Sequence, residues 1–337
     1  MNILGIESSC DETSVAVLSN DKLTANLISS QDFHTKYGGV IPELSSRAHL
    51  QIVIPLLKDA LAKSNIELKD IDLITATAGP GLIGALLVGL TFAKGLAYSL
   101  QKPFVAVNHV EGHIFSGFLM DEKPEFPYLA LVVSGGHTLL LYVESFLKIT
   151  KLGTTVDDAA GEAFDKVAKM LGLGYPGGPK IQAASLKGDK EKISFPVAEL
   201  KDKYNFSFSG LKTSVLRYIQ KNFKDASAIH ENDLFDISAS FQNAVVKALI
   251  KNTERALKEY NVNSISLVGG VAANKVLRNA LTELAYNYNK KFIVPAFEFC
   301  GDNAAMIAFR GSKLFDAGIE SGLEYSPFPG LAADHFE

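Results

Sequence analysis

The sequence has little cysteine and no segment that resembles a leader. Only Cys10 and Cys300 occur in 337 residues, too few for a disulfide framework, and they fit a reducing compartment. The N-terminal residues reach Asp11 and Glu12 without the basic region and the apolar core of a signal peptide. We therefore expect a cytoplasmic protein that is not secreted.

Long apolar runs and an excess of positive charge are also lacking. The longest apolar stretch, residues 81–100, contains Lys94 and several glycines, which favours a buried helix over a membrane span. A net charge of −4 argues against a general nucleic-acid coat but permits a local basic patch. With 47% hydrophobic and 21% charged residues over 337 positions, the chain has the composition of a soluble protein of about two domains.

Two stretches have the pattern of a hairpin with a polar tip. Residues 3–7 and 14–18 predict strands around the turn 8–13, and the pattern recurs over 128–143 around the turn 134–138. Ser8 and Ser134 occupy matching places 126 residues apart. This internal repeat predicts two related halves, 1–125 and 126–337, with room for the C-terminal helix to pack back on the first half.

Glycine-rich turns follow several of the predicted elements. A strand over 264–268 leads through Gly269 and Gly270 into a helix, and a second glycine turn spans 174–179. Such turns can aim backbone N–H groups at a phosphate, although each alone also fits an ordinary tight loop. Helices are expected near 43–63, 81–99, 109–119, 158–171, 209–223, 233–259, 275–289 and 302–316, and further strands near 71–77 and 103–107. Hairpins mixed with βα units predict an α/β fold with mixed sheets.

His109 and His113 are four residues apart in a predicted helix. Side chains at this spacing lie on one helix face, where two imidazoles can bind one metal ion. Without a further ligand, the pair also fits two partly exposed polar residues.

The glycine- and hydroxyl-rich turns resemble the phosphate and adenosine loops of the actin, Hsp70 and sugar-kinase superfamily. More specifically, nearly the whole chain resembles the bacterial tRNA N6-adenosine threonylcarbamoyltransferase (TsaD-like) family. The motifs that carry this resemblance are GIESSCDET (5–13), YGGVIPEL (37–44), SRAH (46–49), NHVEGH (108–113), VSGGHT (133–138), DDAAGEAFDK (157–166), YPGGP (175–179), FSGLKT (208–213), GGVAAN (269–274) and GDNAAM (301–306). The resemblance implies two duplicated actin-like subdomains with mixed sheets and flanking helices, which clasp a nucleotide.

The resemblance also implies a reaction and a metal. Threonylcarbamoyl-adenylate donates its threonylcarbamoyl group to N6 of adenosine 37 in tRNAs that read ANN codons, and AMP leaves. One divalent metal per subunit, iron(II) with zinc(II) as the alternative, is expected on His109, His113 and Asp302, where it would hold donor oxygens and neutralise charge. Asp302 alone also fits a helix N-cap.

Further residues are assigned to the substrate by resemblance. The turn residues Val133, Ser134, Gly135, Gly136 and His137 are expected around the acyl phosphate, and Asp165, Gly178, Gln182 and Asn274 around the ribose and adenine. Gln182 stands where many relatives carry Asp, so it brings no charge to this contact. Val132 stands where the archaeal and eukaryotic branch often has a Tyr ligand, which places the chain in the bacterial branch and leaves substrate or water to complete the coordination.

Three residues are candidates for proton transfer or polarisation. Asp11 and Glu12 at the first hairpin tip could accept or orient the amine proton, or could simply make the tip soluble. His137 could donate to the carbamoyl oxygen or could be an ordinary turn residue.

A basic segment predicts a tRNA surface. Residues 201–224 contain one acid and six basic residues, namely Lys201, Lys203, Lys212, Arg217, Lys221 and Lys224. Tyr204, Phe206 and Phe208 are interleaved with them, a composition that suits RNA but also suits a solvated helix with a buried aromatic face.

The resemblance implies partners as well. These are a shorter paralogous subunit (TsaB-like), expected to pack helix against helix on the N-terminal half, a small P-loop ATPase (TsaE-like) and a separate synthase that makes the adenylate. No membrane is expected.

Three other functions fit parts of the sequence. A kinase or ATPase of the same superfamily would use the phosphate loops but not the histidines. A metalloprotease is disfavoured because Val110 stands where zincins carry their catalytic Glu, and Glu111 lies on another helix face. A non-catalytic ATP-binding scaffold remains an alternative, although silent paralogues of this kind lack the metal residues that this chain has.

Overall fold

The computed structural model describes residues 1–331 and 335–336. Its strands are β1 Asn2–Glu7, β2 Glu12–Ser19, β3 Lys22–Ser30, β4 Leu73–Gly79, β5 Phe104–Asn108, β6 Tyr128–Val133, β7 Thr138–Ser145, β8 Lys148–Thr154, β9 Ser264–Val268 and β10 Lys291–Ile293. Its α-helices are α1 Pro42–Ser64, α2 Ile83–Leu100, α3 His109–Phe115, α4 Ala160–Met170, α5 Gly177–Ser185, α6 Ser209–Asn222, α7 Glu231–Glu259, α8 Lys275–Asn287, α9 Phe297–Cys300 and α10 Ala304–Asp316.

The chain divides into two compact units. Unit 1 comprises Met1–Lys123 together with Pro295–Glu337, and unit 2 comprises Pro124–Val294. The segment from Pro295 onwards, which includes α9 and α10, thus belongs to unit 1, whereas the sequence placed it in a half spanning 126–337 and left room for its helix to pack back.

The two units share one sheet topology. In unit 1 the described strand order is β3-β2-β1-β4-β5, and in unit 2 it is β8-β7-β6-β9-β10. In each sheet the first three strands are antiparallel and the next joins the hairpin in parallel. The strands of the two hairpins begin 126 residues apart, at 2 and 128, 12 and 138, and 22 and 148. The fold is therefore α/β with two duplicated actin-like units.

Helices cover both faces of the sheet of unit 1. Successive residues of a strand point to opposite faces, so Leu4 packs with α1 and α2 while Ile3 packs against Met306 and Ile307 of α10. Gly5 allows this close packing, because a Cβ at this position would overlap the carbonyl oxygen of Ala304. The start of α10 is thereby held directly over β1.

Helix α2 is the one described helix that is long and apolar enough to cross a membrane by composition, with a mean hydropathy of 1.6 over Ile83–Leu100. In the structure it packs against α1 and β4 of unit 1. Its residues Leu86, Leu90 and Ala93 are buried there, although only 33% of the helix is buried.

Candidate metal centre

Helix α3 places the two histidines on one face at the end of β5. Asn108 caps the helix, since its Oδ1 accepts hydrogen bonds from the backbone N–H of Val110 at 2.8 Å and of Glu111 at 3.2 Å. His109 and His113 then follow one helical turn apart, both buried. Their rings meet edge to face with centroids 4.7 Å apart.

Asp302 reaches the same point from the segment before α10. The N-cap of α10 is Asn303, whose Oδ1 accepts from Met306 N at 3.0 Å. The alternative role of Asp302 as the N-cap is therefore wrong, and its carboxylate faces α3. Asp302 Oδ1 lies 3.4 Å from His109 Nε2 and 3.1 Å from His113 Nε2.

These three side chains have a donor set that suits a divalent metal. One ligand atom from each of them lies within 4.8 Å of the other two, and no other group of three or more such ligands is found among the described residues. Two imidazole nitrogens and one carboxylate oxygen fit iron(II) or zinc(II) and leave coordination positions for a substrate. The residues predicted as ligands are thus brought together.

The electrostatics of the centre favour positive charge. Burial opposes a charge on His109, but the carboxylates of Asp302 and Glu7 outweigh this effect and raise the pKa of His109 to about 9. Burial likewise opposes charge on Asp302, yet His109 and His113 hold the pKa of its carboxyl well below the ordinary range. The centre therefore stabilises a positive charge.

Sequence reasoning missed Glu7, which lies directly behind His109. Its carboxylate is fully buried, and its Oε2 is 3.1 Å from His109 Nδ1. The available signal was a single carboxylate at the end of an otherwise apolar strand, a position that burial would make costly without a partner.

Asp11 lies in the turn between β1 and β2, and Glu12 is the first residue of β2; both are partly buried. Burial, with smaller contributions from Asp302 and Asp11, raises the pKa of Glu12 to about 9. Burial also raises the pKa of the Cys10 thiol, again with Asp11 and Asp302 contributing. Glu12 consequently holds a proton at neutral pH, so it is suited to donate a hydrogen bond.

In unit 2, the predicted acyl-phosphate residues form a tight turn after β6. Ser134 N donates to His137 O at 2.9 Å, and His137 N donates to Ser134 Oγ at 3.0 Å. Val133 is buried at the end of the strand, while Gly135 and Gly136 are exposed at the tip. The tip of the turn thus exposes the backbone of Gly135 and Gly136.

The predicted ribose and adenine residues surround the starts of α5 and α8. Asp165 Oδ1 accepts from Gly177 N at 2.6 Å, and burial raises the pKa of Asp165 although this bond opposes the shift. Gly178 lies in the first turn of α5 with open space around its Cα.

Gln182 and Asn274 hold the first turn of α8. Gln182 Oε1 accepts from Lys275 N at 2.6 Å. Asn274 Oδ1 accepts from Leu277 N at 3.0 Å, and its Nδ2 donates to Gln242 Oε1 at 2.7 Å. Both side chains are therefore engaged in the fold.

The basic segment has a buried aromatic face. Tyr204, Phe206 and Phe208 are buried, so the interpretation of these aromatics as core is the correct one. Lys203 pairs with Glu259, and Lys212 pairs with Asp158 at 2.8 Å. The four remaining basic residues are exposed, namely Lys201, Arg217, Lys221 and Lys224.

The known proteins that are similar to this chain in sequence share one family name. A family model described as TsaD, tRNA N6-adenosine threonylcarbamoyltransferase, matches residues 22–309. A protein of that name from Thermosipho africanus is 53% identical over 333 residues, which cover 98% of this chain and 99% of that protein. Another from Symbiobacterium thermophilum is 46% identical over 331 residues, 98% of this chain and 96% of that protein.

Two solved structures share the fold at low sequence identity. HypF of T. kodakarensis matches with a TM-score of 0.67 at 16% identity, over 94% of this chain and 48% of that one. The activator of the 2-hydroxyisocaproyl-CoA dehydratase from Clostridium difficile matches with a TM-score of 0.52 at 16% identity, over 96% and 99%. Because the curated relatives match end to end, the chain belongs to the bacterial tRNA N6-adenosine threonylcarbamoyltransferase family and is an acyltransferase that modifies tRNA.

Proposed function

We propose that this chain transfers the threonylcarbamoyl group from threonylcarbamoyl-adenylate to N6 of adenosine 37 in tRNAs that read ANN codons, in the cytoplasm. The observation that carries the proposal is the convergence of His109, His113 and Asp302 in a chain of this family. In the reaction, a bond forms between N6 and the carbamoyl carbon. The bond from that carbon to the phosphate oxygen breaks, AMP leaves with the electron pair, and the amine loses one proton.

One divalent metal per subunit, iron(II) with zinc(II) as the alternative, would be held by His109 Nε2, His113 Nε2 and the Asp302 carboxylate. When bound, it supplies a positive charge that fixes donor oxygens and offsets developing negative charge. The mutual reach of the three ligand atoms and the preference of the pocket for a cation support this assignment.

Asp11 is our proposed acceptor for the amine proton, with Glu12 as a hydrogen-bond donor beside it. The raised pKa of Glu12 supports this division of roles, because a carboxyl that keeps its proton can donate but cannot accept one. His137 is proposed to donate a hydrogen bond to the carbamoyl oxygen.

Unit 2 is proposed to bind the adenylate part of the donor. The tight turn Val133–His137 offers the exposed backbone of Gly135 and Gly136 to the acyl phosphate. Asp165 would accept hydrogen bonds from ribose hydroxyls, next to the open surface at Gly178. Gln182 and Asn274 would shape the adenosine surface by holding the start of α8, since their side chains are engaged there.

For tRNA, the exposed Lys201, Arg217, Lys221 and Lys224 are the proposed contacts. Lys203 and Lys212 of the same segment contribute less, because each is already paired with an acid.

The shorter paralogous subunit (TsaB-like) is proposed to dock on the outer face of α1 and α2. Leu50 and Ile54 on α1, and Ile83 and Leu87 on α2, are each one helical turn apart and exposed, at 63%, 49%, 47% and 48%. Two adjacent helices with an apolar stripe fit a partner that also presents helices. A small P-loop ATPase (TsaE-like) and the synthase that makes the adenylate complete the proposed set of partners.

The test is transfer of labelled threonylcarbamoyl from its adenylate to unmodified tRNA, by the wild type and by a His109→Ala/His113→Ala variant with the same partners. Labelling by the wild type alone supports the proposal. Equal labelling by both proteins would mean that the histidines are not needed for catalysis. No labelling with iron(II) or zinc(II) would favour the non-catalytic scaffold.

A further inference from the structure

Glu7 lies at the centre of a set of hydrogen bonds behind the metal centre. It is the last residue of β1 and is fully buried. Its Oε1 accepts from Ser9 N at 2.5 Å. Its Oε2 accepts from the Thr77 hydroxyl and lies 3.1 Å from His109 Nδ1.

The donor and acceptor pattern around Glu7 dictates the orientation of the His109 ring. A carboxylate has only acceptor atoms, so the proton of a neutral His109 belongs on Nδ1, where it faces Glu7. The Ser9 hydroxyl, 3.2 Å from the same Nδ1, can also accept from it. The lone pair of His109 is then on Nε2, which points toward Asp302 and the candidate metal position.

We propose that Glu7 is a positioning residue of the metal centre, which fixes the His109 ring with Nε2 toward the ion and strengthens it as a ligand. A carboxylate behind a ligating imidazole holds the ring and raises its basicity, and loss of such a partner typically weakens metal binding about 10- to 100-fold. The inference rests on the metal centre of the proposed function and adds a residue to which neither the sequence nor the family resemblance assigns a role here.

An amide cannot replace the carboxylate at this position. In Glu7→Gln, one of the two oxygens becomes an NH₂ group, which is a donor. If the NH₂ faces Ser9, two N–H donors oppose each other. If it faces His109, Nδ1 must become the acceptor, and the ring proton moves to Nε2, where it blocks the ligand atom.

The experiment titrates the metal-free full-length protein with cobalt(II) alone and follows the ligand-field absorption of the bound ion. We expect Glu7→Gln to bind cobalt about 10- to 100-fold more weakly than the wild type. In a His109→Ala background the same substitution should change nothing further, because its effect acts through that ring. This non-additivity separates positioning from general destabilisation.

Glu111→Gln is the matched control. Glu111 is a second carboxylate, on α3 itself and largely buried, but it pairs with Arg310 at 2.5 Å and with His335 at 2.9 Å rather than with a candidate ligand. It should retain the cobalt affinity of the wild type.

Equal cobalt affinity in Glu7→Gln and the wild type would overturn the inference. If circular dichroism shows that Glu7→Gln does not fold, Glu7→Asp replaces it: this variant keeps both acceptor oxygens but withdraws them from His109, and wild-type affinity there would equally overturn the inference. The titration needs neither tRNA nor donor. A wild type that binds cobalt but transfers nothing would therefore defeat the proposed function alone, whereas a wild type that binds no cobalt would defeat both.

Discussion

Asp302 and Asn303, which directly precede α10, make different contacts. Asp302 faces the histidines of α3, while Asn303 turns inward and caps the helix. Because the proposed ligand and the cap are adjacent but distinct, substitutions at the two positions should separate metal binding from folding.

Asp302→Asn should remove the metal and leave the fold intact. The amide keeps the size of the side chain but loses the charge that attracts a cation, so metal content should fall to background and transfer by about 100-fold or more. Asn303→Ala should do the reverse and lower the free energy of unfolding by about 1 kcal/mol through loss of the cap. Metal analysis and thermal unfolding of both variants check this; metal retained by Asp302→Asn would contradict the ligand assignment.

The residues of the candidate metal centre were predictable to different degrees. His109 and His113 are detectable because helical spacing alone places them together. Asp302 is 189 positions from His113 and needed the family resemblance. For Glu7 the sequence offered only a lone carboxylate at the end of an apolar strand, since its partners Ser9, Thr77 of β4 and His109 come together only in the folded protein.

At the scale of the elements, Asp158 links α4 and α6 through two ion pairs. It precedes α4 and binds Lys166 of α4 and Lys212 of α6, both at 2.8 Å. Burial opposes its charge, but the two lysines hold the pKa of Asp158 below the usual 3.8. Lys212 therefore has a structural role in a segment that sequence composition assigned to tRNA.

Asp158→Asn should destabilise the protein by about 1–2 kcal/mol at neutral pH, a value kept low because Lys166 is partly exposed and screened. A carboxyl with a lowered folded pKa stabilises above its unfolded pKa and loses this effect as pH falls through the folded pKa. The difference between wild type and variant should thus be constant near neutrality and shrink below about pH 4. Urea unfolding at neutral pH and below about pH 4 tests this. If the variant were still less stable than the wild type in acid, the ion pair would be excluded as the cause.

The helical face of α1 and α2 leads to a prediction about assembly. Ile54→Asp with Leu87→Asp should abolish association with the shorter paralogue, because both side chains are exposed in the free chain and would be buried with a charge in the complex. Thermal unfolding of the isolated variant should match the wild type. Leu147→Asp, a similarly exposed position in unit 2, is the control in size-exclusion chromatography and should still associate; persistent association of the double variant would place the interface elsewhere.

Elements with strong periodicity were predicted closely, and those with weak patterns were not. The expected helix over 209–223 is Ser209–Asn222, and that over 233–259 is Glu231–Glu259. Strand β3 was not predicted, because an edge strand of mixed burial lacks clear alternation. The start of helix α5 was interpreted only as a glycine turn, because its first residues are glycine and proline. Pro179 is compatible with a helix here, since it lies in the first turn, where proline removes no helical hydrogen bond.

At the scale of the whole molecule, one sheet topology occurs twice. The 126-residue offset relates the hairpin tip that carries Asp11 and Glu12 to the tip that carries Gly135 and Gly136. Duplication was therefore recognisable from hairpin spacing. The sequence left room for the C-terminal helix to pack back on the first half but did not indicate which residues do so, because this packing depends on contacts between α10 and a sheet whose first strand lies at the other end of the sequence.

A chain of net charge −4 must bind polyanionic tRNA through a local surface. If that surface includes Lys221 and Lys224, replacing both with Ala should weaken tRNA binding and reduce the slope of log affinity against log salt by about one per lysine. Lys148→Ala is the matched control, since this exposed lysine of unit 2 is paired with Glu144 and lies outside the basic segment. Binding measured by filter retention across salt concentrations checks the prediction. The slope counts the phosphates that the protein neutralises, whatever the sequence of the RNA. An unchanged slope in the double variant would therefore show that Lys221 and Lys224 do not contact tRNA phosphates.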